Sequence, residues 1–578
     1  MPLFYLSNKI KKIIYRLADS PLPAVLFIAT LLLVRWIQNS DFQYPTEIAI
    51  PVLLFSVLVS AVFYGYRVIF GPGLATHVAT LTLSFGFYNY AHLAGWSLSQ
   101  FIKELIPSGL STNFTDSLVL GVTAALAAGL LGFVLARLTV RLSWLQSLQP
   151  LKVILFTTVF IFGLQLARGG IRLVTIADQL SYSYPAISLP QPSQTTVTKP
   201  DIYYLNIDRY TSAEALKEVY KYDNSAFLNF LQAQGFVNRP SAYANYPFTM
   251  SSLSSTLAMN YFPDLEEKFA KSGSWQAAFP YRSILKNPPV AQALKQNGYN
   301  YIQVSSWSDY TRIGIKADRD PAISFRLNLF GWRIFLSDLE RDIINKSILS
   351  PWLKKGLTVG DTAVLKYDLD RNPTENFERQ MSALKSLGAK VDQNMPKFVF
   401  AHILAPHDPY IFDADGSKPN YDPNRTDIGV DEKIKYTNEI TYLNKRFTEL
   451  ISHIRTNSPE AVIIIQPDEG AYPKQFRHAL TSNNYYDIAD LPLAELKQKQ
   501  GILASYYMPG LPPNEVAKMD SSVNVFRFVL NRYLGYDLSM LPDCHFSTGN
   551  KFIIYDYRDI TERLKNQPNP DCKDYLVD

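Results

Sequence analysis

Five apolar stretches lie before residue 170, and they limit what this chain can fold into more than any other feature. Each approaches the length of about 20 apolar residues that a helix needs to cross a bilayer. The sequence therefore predicts about five transmembrane helices, or four if the stretch with His77 and His92 does not cross. No small-residue cleavage site follows the basic N-terminus, so a cleaved signal peptide does not explain the pattern. The stretches cover residues 23–37, 47–65, 74–96, 117–137 and 151–167.

The basic residues between these stretches predict how the chain is oriented, because short cytoplasmic loops retain Lys and Arg. With five spans and a cytoplasmic N-terminus, the inner loops carry Lys9, Lys11, Lys12, Arg16, Arg67, Arg137, Arg141 and Lys152. The outer side has fewer basic residues: Arg35, Lys103, Arg168 and Arg172. We therefore expect a multi-pass protein of the inner or plasma membrane, with everything after residue 170 outside the cytoplasm.

A connector separates the apolar part from the rest of the chain. Residues 187–200 read ISLPQPSQTTVTKP, and this Pro-, Ser- and Thr-rich composition is typical of an extended linker. We predict a transmembrane domain over 1–170, a linker over 171–199 and an extracytoplasmic domain over 200–578. The net charge is only +5, and Lys and Arg do not form a stripe with interleaved aromatic residues. No nucleic-acid partner is therefore expected.

Strands and helices alternate in the predicted outer domain. Residues 201–208, DIYYLNID, read as a buried strand, and residues 289–306, PVAQALKQNGYNYIQVSS, read as a helix, a glycine stop and a strand. The same order recurs before the buried strand AVIIIQ at 461–466. It is typical of a mostly parallel sheet sandwiched by helices, in which ligands bind beyond the carboxyl ends of the strands. The predicted fold class is thus an α-helical transmembrane bundle followed by an α/β domain.

Polar side chains occur at the ends of three predicted strands. Asp208 ends the first strand, His402 and His407 lie in or after a second, and Asp468 and Glu469 follow a third. Taken alone, each acid is more often a turn former or helix cap, and His402, within an apolar strand, is interpreted as a core histidine. Carboxylates that converge on one sheet edge repel each other unless a cation lies among them. The combination therefore favours a metal site.

A candidate nucleophile lies between the first two of these strands. In ANYPFTMSSLSSTLAMNY, residues 244–261, Thr249 stands at the start of a predicted helix, after Pro247. One interpretation is that Thr249 is only the N-cap of that helix. The other is that its hydroxyl acts as a nucleophile, because backbone N–H groups and the positive end of the helix dipole stabilise an alkoxide or anion there.

Together these motifs resemble the alkaline phosphatase and sulfatase superfamily. Five spans before an exported domain also resemble its membrane-anchored branch of lipoteichoic acid synthases and phosphoethanolamine transferases. The resemblance covers about 200–535 and implies an alkaline phosphatase-like fold. It further implies that Asp208 and Asp468 bind metal, that Thr249 is a metal-bound nucleophile that becomes phosphorylated, and that His407 binds substrate. Arg209 pairs either with substrate phosphate or simply with Asp208.

Glu469 departs from the family pattern, because it stands where the resemblance expects a metal-binding histidine. The expected ligand set is then Asp208, Thr249, Asp468 and Glu469, which is all oxygen. Oxygen ligands favour one hard cation, Mn²⁺ or Mg²⁺, over Zn²⁺. The additional negative charge also weakens the positive field that a phosphate ester would meet, which leaves open whether the site catalyses a reaction.

The resemblance implies a membrane-bound, divalent-metal-dependent phosphotransferase. It would transfer a phospholipid head group, of phosphoglycerol or phosphoethanolamine type, to a glycan or lipid acceptor of the cell envelope through a phospho-threonine intermediate. Two alternatives remain: a hydrolase of the sulfatase or phosphodiesterase type, and an inactive relative that binds an envelope component. The Cys/Ser-x-Pro-x-Arg motif of sulfatases is absent around Thr249.

Cys544 and Cys572 either form a disulfide outside the cytoplasm or remain separate thiols.

Overall fold

The computed structural model divides the chain into two compact units. The first, the helical unit, comprises Met1–Ala177 and Ser324–Asp370, and the second, the α/β unit, comprises Asp178–Ile323 and Arg371–Asp578. The structure describes residues 8–40, 43–88, 117–141, 148–187, 189–190, 192, 199–270, 277–308, 310–312, 316–321, 326–329, 332–335, 337–347, 357–359, 362–367, 373–389, 395–419, 432–473, 488–550 and 553–577.

Each of the five apolar stretches coincides with a helix. The helices of this part are α1 (Asn8–Ala18), α2 (Leu22–Gln38), α3 (Ala49–Phe70), α4 (Leu74–Tyr88), α5 (Ser117–Arg141) and α6 (Leu148–Ser181). Gly71, at φ 72°, ends α3 in a conformation that a side chain would disfavour, and its N–H donates to the Arg67 carbonyl at 2.9 Å. The third predicted stretch extends to residue 96, and its residues 89–96 lie outside the described residues.

The number of membrane spans stays a prediction. Among the described residues, two helical segments are long and apolar enough to cross a membrane, Pro45–Phe70 and Pro150–Ser181. A third candidate arises if Ile10–Ala18 and Leu22–Gln38, which are bent by 62° to each other, act as one span. Because α6 continues to Ser181, the beginning of the segment predicted as a linker is helical.

The remaining elements, in chain order, belong to the α/β unit and to the second segment of the helical unit. The helices are α7 (Ala213–Glu218), α8 (Ser225–Ala233), α9 (Thr249–Ala258), α10 (Pro263–Phe269), α11 (Phe279–Lys286), α12 (Pro289–Gln296), α13 (Asp338–Lys346), α14 (Pro373–Gly388), α15 (Glu432–Asn457), α16 (Leu493–Gln500), α17 (Pro513–Val516), α18 (Val525–Leu534) and α19 (Thr561–Lys565). The strands are β1 (Ile202–Ile207), β2 (Val237–Tyr243), β3 (Asn300–Val304), β4 (Arg326–Leu329), β5 (Trp332–Phe335), β6 (Leu357–Val359), β7 (Thr362–Tyr367), β8 (Lys397–Ile403), β9 (Val462–Ile465), β10 (Gly501–Tyr507), β11 (Phe546–Asn550) and β12 (Ile553–Asp559).

Residues 324–370 belong to the helical unit, although they fall inside the range predicted as the outer domain. They form an antiparallel sheet in the order β5-β4-β7-β6 and the helix α13. A capping box begins α13: Ser337 Oγ accepts from the Glu340 N–H at 3.2 Å, and Glu340 Oε2 accepts from the Ser337 N–H at 2.6 Å. Leu339 and Ile343, four residues apart on α13, are buried in one cluster with α2 and α3.

The α/β unit is built on a six-stranded sheet in the order β2-β10-β9-β1-β8-β3. Strands β3, β8, β1 and β9 run parallel, whereas β10 is antiparallel to both β9 and β2. Strand β1 lies inside the sheet, and all six of its residues are buried. The predicted mostly parallel sheet is therefore confirmed, and the carboxyl ends of β1, β8 and β9 lie side by side.

Helices cover both faces of this sheet, as predicted. Alternate residues of a strand point to opposite faces. Leu205 of β1 is buried in one cluster with Leu443 and Phe447 of α15, and Tyr204 is buried in another with Phe526 of α18. Apolar residues spaced by three and four along α15 form one buried face of this helix: Ile440, Leu443, Phe447, Leu450 and Ile454.

Cys544 and Cys572 form a disulfide, which settles the choice between a bond and two separate thiols. Disulfides persist in oxidising compartments, so this bond agrees with the predicted position of the α/β unit outside the cytoplasm.

Candidate metal centre

The parallel register brings three potential metal ligands to one edge of the sheet. Asp208 follows β1, His402 is the penultimate residue of β8, and Asp468 lies just after β9. Asn206 pairs with His402 across β1 and β8, and Leu205 pairs with Ile465 across β1 and β9. One ligand atom from each of Asp208, His402 and Asp468 lies within 4.8 Å of the others, and all three residues are buried.

The three side chains direct unpaired polar atoms to this place. Asp208 Oδ1, His402 Nε2 and Asp468 Oδ2 are buried, and no hydrogen bond of normal geometry reaches them from the described residues. His402 Nε2 lies 3.5 Å from Asp208 Oδ2. Burial of an unsatisfied polar atom costs about 1–3 kcal/mol, so three such atoms together are unfavourable unless a ligand satisfies them. Two carboxylate oxygens and an imidazole nitrogen fit a divalent cation.

Neighbouring side chains hold two of these ligands in place. The Thr311 hydroxyl lies 2.7 Å from His402 Nδ1, which leaves Nε2 for the centre. The Asn206 amide, in the orientation that satisfies both groups, donates to Asp468 Oδ1 at 2.9 Å and accepts from the Asp468 N–H at 3.1 Å. Asp468 Oδ2 therefore remains available to the centre.

The two carboxyl groups have opposite pKa shifts. Burial raises the pKa of Asp468 to about 8, and the neighbouring Asp208 carboxylate raises it too. Burial also acts to raise the pKa of Asp208, but His407 and His402 outweigh it and lower that pKa below its ordinary value. The ligand atoms of these two carboxyl groups lie within 4.8 Å of each other, and at that distance the pair shares one negative charge unless a cation is bound.

Thr249 is the first residue of α9 and not its N-cap. Phe248 occupies the N-cap position in an extended conformation, without a side-chain cap. The N-cap interpretation of Thr249 is therefore wrong. The Thr249 side chain is partly exposed and close enough to Asp468 to lower the pKa of that carboxyl. The candidate nucleophile thus lies beside the three potential ligands.

Glu469 is buried next to the centre, but its carboxylate faces two cationic side chains. Arg209 Nε donates to Oε1 at 3.1 Å, and Lys499 Nζ donates to Oε2 at 2.6 Å. In the described part of the chain, Glu469 is not a member of the group that could hold a metal ion, whereas His402 is. The geometry thus differs from the expected all-oxygen set, and the preference for Mn²⁺ or Mg²⁺ loses its basis because an imidazole nitrogen is present.

Arg209 and His407 lie close to Asp208. Arg209, at φ 64°, pairs with Glu469 and Asp408, rather than with Asp208 as one expectation had it. Its guanidinium carbon lies 3.6 Å from the centre of the Tyr472 ring. His407 is half-buried, and its Nδ1 lies 3.5 Å from Asp408 Oδ1. Burial and the nearby Arg209 charge lower the pKa of His407.

His402 and Lys499 are the two site residues that the sequence interpretation missed. His402 stands in the apolar run FVFAHIL, which resembles a core strand, and its register with Asp208 and Asp468 is a tertiary property. Its place near the carboxyl end of a parallel strand was the available signal. Lys499 stands in ELKQKQG, which carries no sign of burial.

No protein-family model and no curated protein matches the chain. Solved structures are similar to it at low identity. The integral membrane protein lipooligosaccharide phosphoethanolamine transferase A (EptA) from Neisseria meningitidis is 12% identical, with a TM-score of 0.39 over 95% of this chain and 98% of that one. The C-terminal periplasmic domain of EptC from Escherichia coli, in complex with Zn, is 12% identical, with a TM-score of 0.34 over 61% of this chain and 88% of that domain.

A third structure is the lipoteichoic acid synthase LtaP from Listeria monocytogenes. It is 10% identical, with a TM-score of 0.35 over 68% of this chain and 93% of that one. The chemistry of the centre follows from the side chains of this chain.

Proposed function

We propose that the protein is a membrane-bound phosphotransferase that uses one divalent cation. Asp208, His402 and Asp468 would hold the cation, and Thr249 would be the nucleophile. The observation that supports this most is the convergence of three buried, unpaired ligand atoms beside the hydroxyl at the start of α9.

The donor proposed is a phospholipid with a phosphoglycerol or phosphoethanolamine head group, and the acceptor is a hydroxyl of an envelope glycan or lipid. This substrate class comes from the motif resemblance, and phosphoethanolamine transfer also appears in the name of EptA. The anchored helices of the chain suit a donor that resides in the bilayer.

The reaction would proceed in two displacements at phosphorus. The Thr249 oxygen attacks the phosphodiester, the phosphorus–oxygen bond to the diacylglycerol breaks, and the hydroxyl proton of Thr249 is balanced by the proton that the departing alcohol gains. The acceptor hydroxyl then attacks phospho-threonine, and Thr249 regains a proton. A bound divalent cation would lower the pKa of the hydroxyl and neutralise phosphoryl charge. Backbone N–H groups at the start of α9 are oriented to stabilise phosphoryl oxygens.

His407 and Arg209 would assist the substrate in different ways. His407 is half-buried, and its ring can exchange hydrogen bonds with the donor. Arg209 already pairs with Glu469 and Asp408, so we propose that it acts by its charge near the phosphoryl group. Since Glu469 is paired with two cations, its negative charge is compensated, which supports catalysis at this centre.

Measurements on the full-length protein in detergent test this proposal. We expect the wild type to contain about one equivalent of divalent metal by elemental analysis and to release diacylglycerol from phosphatidylethanolamine or phosphatidylglycerol. Thr249→Ala should keep the metal but lose at least about 1,000-fold in turnover, because the nucleophile is removed.

Two further variants control this experiment. Asp468→Asn should lose the metal, whereas Thr441→Ala, an exposed threonine on α15, should match the wild type in both measurements. A metal-free wild type, or turnover that survives in Thr249→Ala, would refute the proposal. Release of free head group instead of transfer to an added glycan acceptor would identify the hydrolase alternative.

A further inference from the structure

A buried ionic cluster lies next to the metal centre. It consists of Glu469, Lys499 and Arg209, and we call it the Glu469 cluster. The Lys499 and Glu469 side chains are 0% and 1% exposed, and the Arg209 side chain is 10% exposed. Both carboxylate oxygens of Glu469 accept from these cations, at 3.1 Å and 2.6 Å. A buried carboxylate needs such partners, and each oxygen of Glu469 already accepts from a protein cation.

The ring of Tyr472 also holds the two cations. The Arg209 guanidinium carbon lies 3.6 Å from the ring centre, and Lys499 Nζ lies 4.4 Å from it. A cation close to an aromatic face is attracted by the ring, and more strongly where water is excluded. Lys499 therefore occupies a site that is shaped for an ammonium group.

Lys499 connects this cluster to the turn before Thr249. Its Nζ also donates to the Pro247 carbonyl and lies 5.7 Å from the centre of the Phe248 ring. These two residues immediately precede the nucleophile. The ammonium group thus links the carboxylate next to Asp468 with the turn that presents the Thr249 hydroxyl.

The backbone of Lys499 is tied to the same strand end. Its carbonyl accepts from the Gly470 N–H at 2.8 Å. A Cβ at Gly470 would lie 2.3 Å from the Gln498 and Gly501 carbonyl oxygens, so the two segments approach more closely than any side chain would permit. Movement of residue 499 would therefore displace residues 468–470 as well.

We propose that Lys499 is a positioning residue that, with Arg209, takes the place of metal ligation at Glu469. The Glu469 carboxylate, beside Asp468, binds Arg209 and Lys499 of the protein, and the centre holds one metal ion. Lys499 also sets the position of Thr249. This inference rests on the proposed function, since it assumes a cation at Asp208, His402 and Asp468.

Metal content separates this inference from the proposed function. Full-length variants in detergent are equilibrated with Mn²⁺ or Zn²⁺, desalted and analysed for bound metal. We expect one equivalent in the wild type and in Glu469→Gln, and loss in Asp468→Asn. If Glu469→Gln loses the metal as Asp468→Asn does, the inference is wrong while the proposed function survives. No metal in the wild type would overturn the proposed function itself.

Turnover of Lys499 variants tests the positioning role. Lys499→Met should bind the same amount of metal and have an unchanged KM, but its kcat should fall about 10- to 100-fold. A loss of this size is typical when a residue that orients other site residues is removed. Lys499→Arg should recover part of that loss, because a guanidinium can still donate to Glu469 and to the Pro247 carbonyl.

The double variant Glu469→Gln/Lys499→Met controls for loss of stability in Lys499→Met. It removes both buried charges together, so the Glu469 carboxylate is not left without its Lys499 partner. We expect its melting temperature and metal content to be close to those of the wild type, and its kcat to remain as low as that of Lys499→Met. A double variant with wild-type kcat would show that Lys499 only compensates charge, and the positioning role would be wrong.

Discussion

Single atoms decide what the centre can bind. The carboxylates of Asp468 and Glu469 are adjacent in the chain, yet Asp468 Oδ2 is unpaired among the described residues and Glu469 has both oxygens paired with cations. The same holds for the two ring nitrogens of His402. The Thr311 hydroxyl is hydrogen-bonded to Nδ1, so Nε2 is available to the centre. The chemistry of each side chain thus follows from which of its atoms its neighbours already use.

Thr311 provides a test at this scale. Thr311→Val keeps the size of the side chain and removes the hydroxyl that orients His402. We expect the affinity for the metal to fall about 10- to 100-fold, because the imidazole loses its fixed orientation. Thr311→Ser retains a hydroxyl and should stay close to the wild type. The measurement is a competition titration of full-length protein with a metal chelator, and equal affinities for Val and Ser would contradict the assigned role.

Individual elements owe their positions to a small number of contacts. The carboxyl ends of β1, β8 and β9 carry the potential ligands because parallel strands end at the same edge of a sheet. Helix α13 belongs to the helical unit because Leu339 and Ile343 are buried against α2 and α3. Arg35 of α2 also pairs with Asp342 of α13 at 2.7 Å, but both side chains are about one-third exposed.

The two kinds of contact at α13 should differ in strength. Ile343→Ala leaves a cavity in a buried cluster and should cost about 2–5 kcal/mol of stability. Asp342→Asn removes only partly exposed ion pairs, with Arg35 and Lys346, and should cost about 0–1 kcal/mol. We expect a clear fall in the melting temperature of the full-length protein for Ile343→Ala and little change for Asp342→Asn. The reverse order would mean that the ion pair, and not apolar burial, holds α13 in place.

On the scale of the whole molecule, the chain passes three times between the two units. It leaves the helical unit after Ala177, returns to it at Ser324 and leaves it again after Asp370. The membrane-spanning character of the chain rests on long apolar helices, and the disulfide Cys544–Cys572 agrees with an α/β unit outside the cytoplasm.

Reporter fusions test the predicted orientation. A reporter enzyme that needs disulfide bonds should be active when it is fused to the C-terminus, because the predicted topology places that end in an oxidising compartment. The same reporter inserted between the fourth and fifth apolar stretches should be inactive, since that loop is predicted to be cytoplasmic. Activity at the loop and none at the C-terminus would reverse the orientation.

Much of the fold could be predicted from local sequence patterns. Long apolar runs predicted the helices of the first part, and the alternation of β-branched strands with amphipathic helices predicted the mostly parallel sheet. Asp208 and Asp468 could be singled out because each follows a strand, and Thr249 because it begins a helix. The assignment of 324–370 to the helical unit was not predictable, because it depends on contacts with residues some 300 positions away, such as Arg35 with Asp342.

The sequence by itself determined the elements and the strand ends at which polar groups would collect, because periodicity and strand-end position are local properties. Only the tertiary structure decided which of those groups face one another. His402 joins the centre through its register with β1, and Glu469 is kept out of it by Lys499, which lies 30 residues later in the chain. The reason is physical: a buried charge takes the partner that folding brings within hydrogen-bond distance, and that partner is set by packing rather than by neighbouring residues.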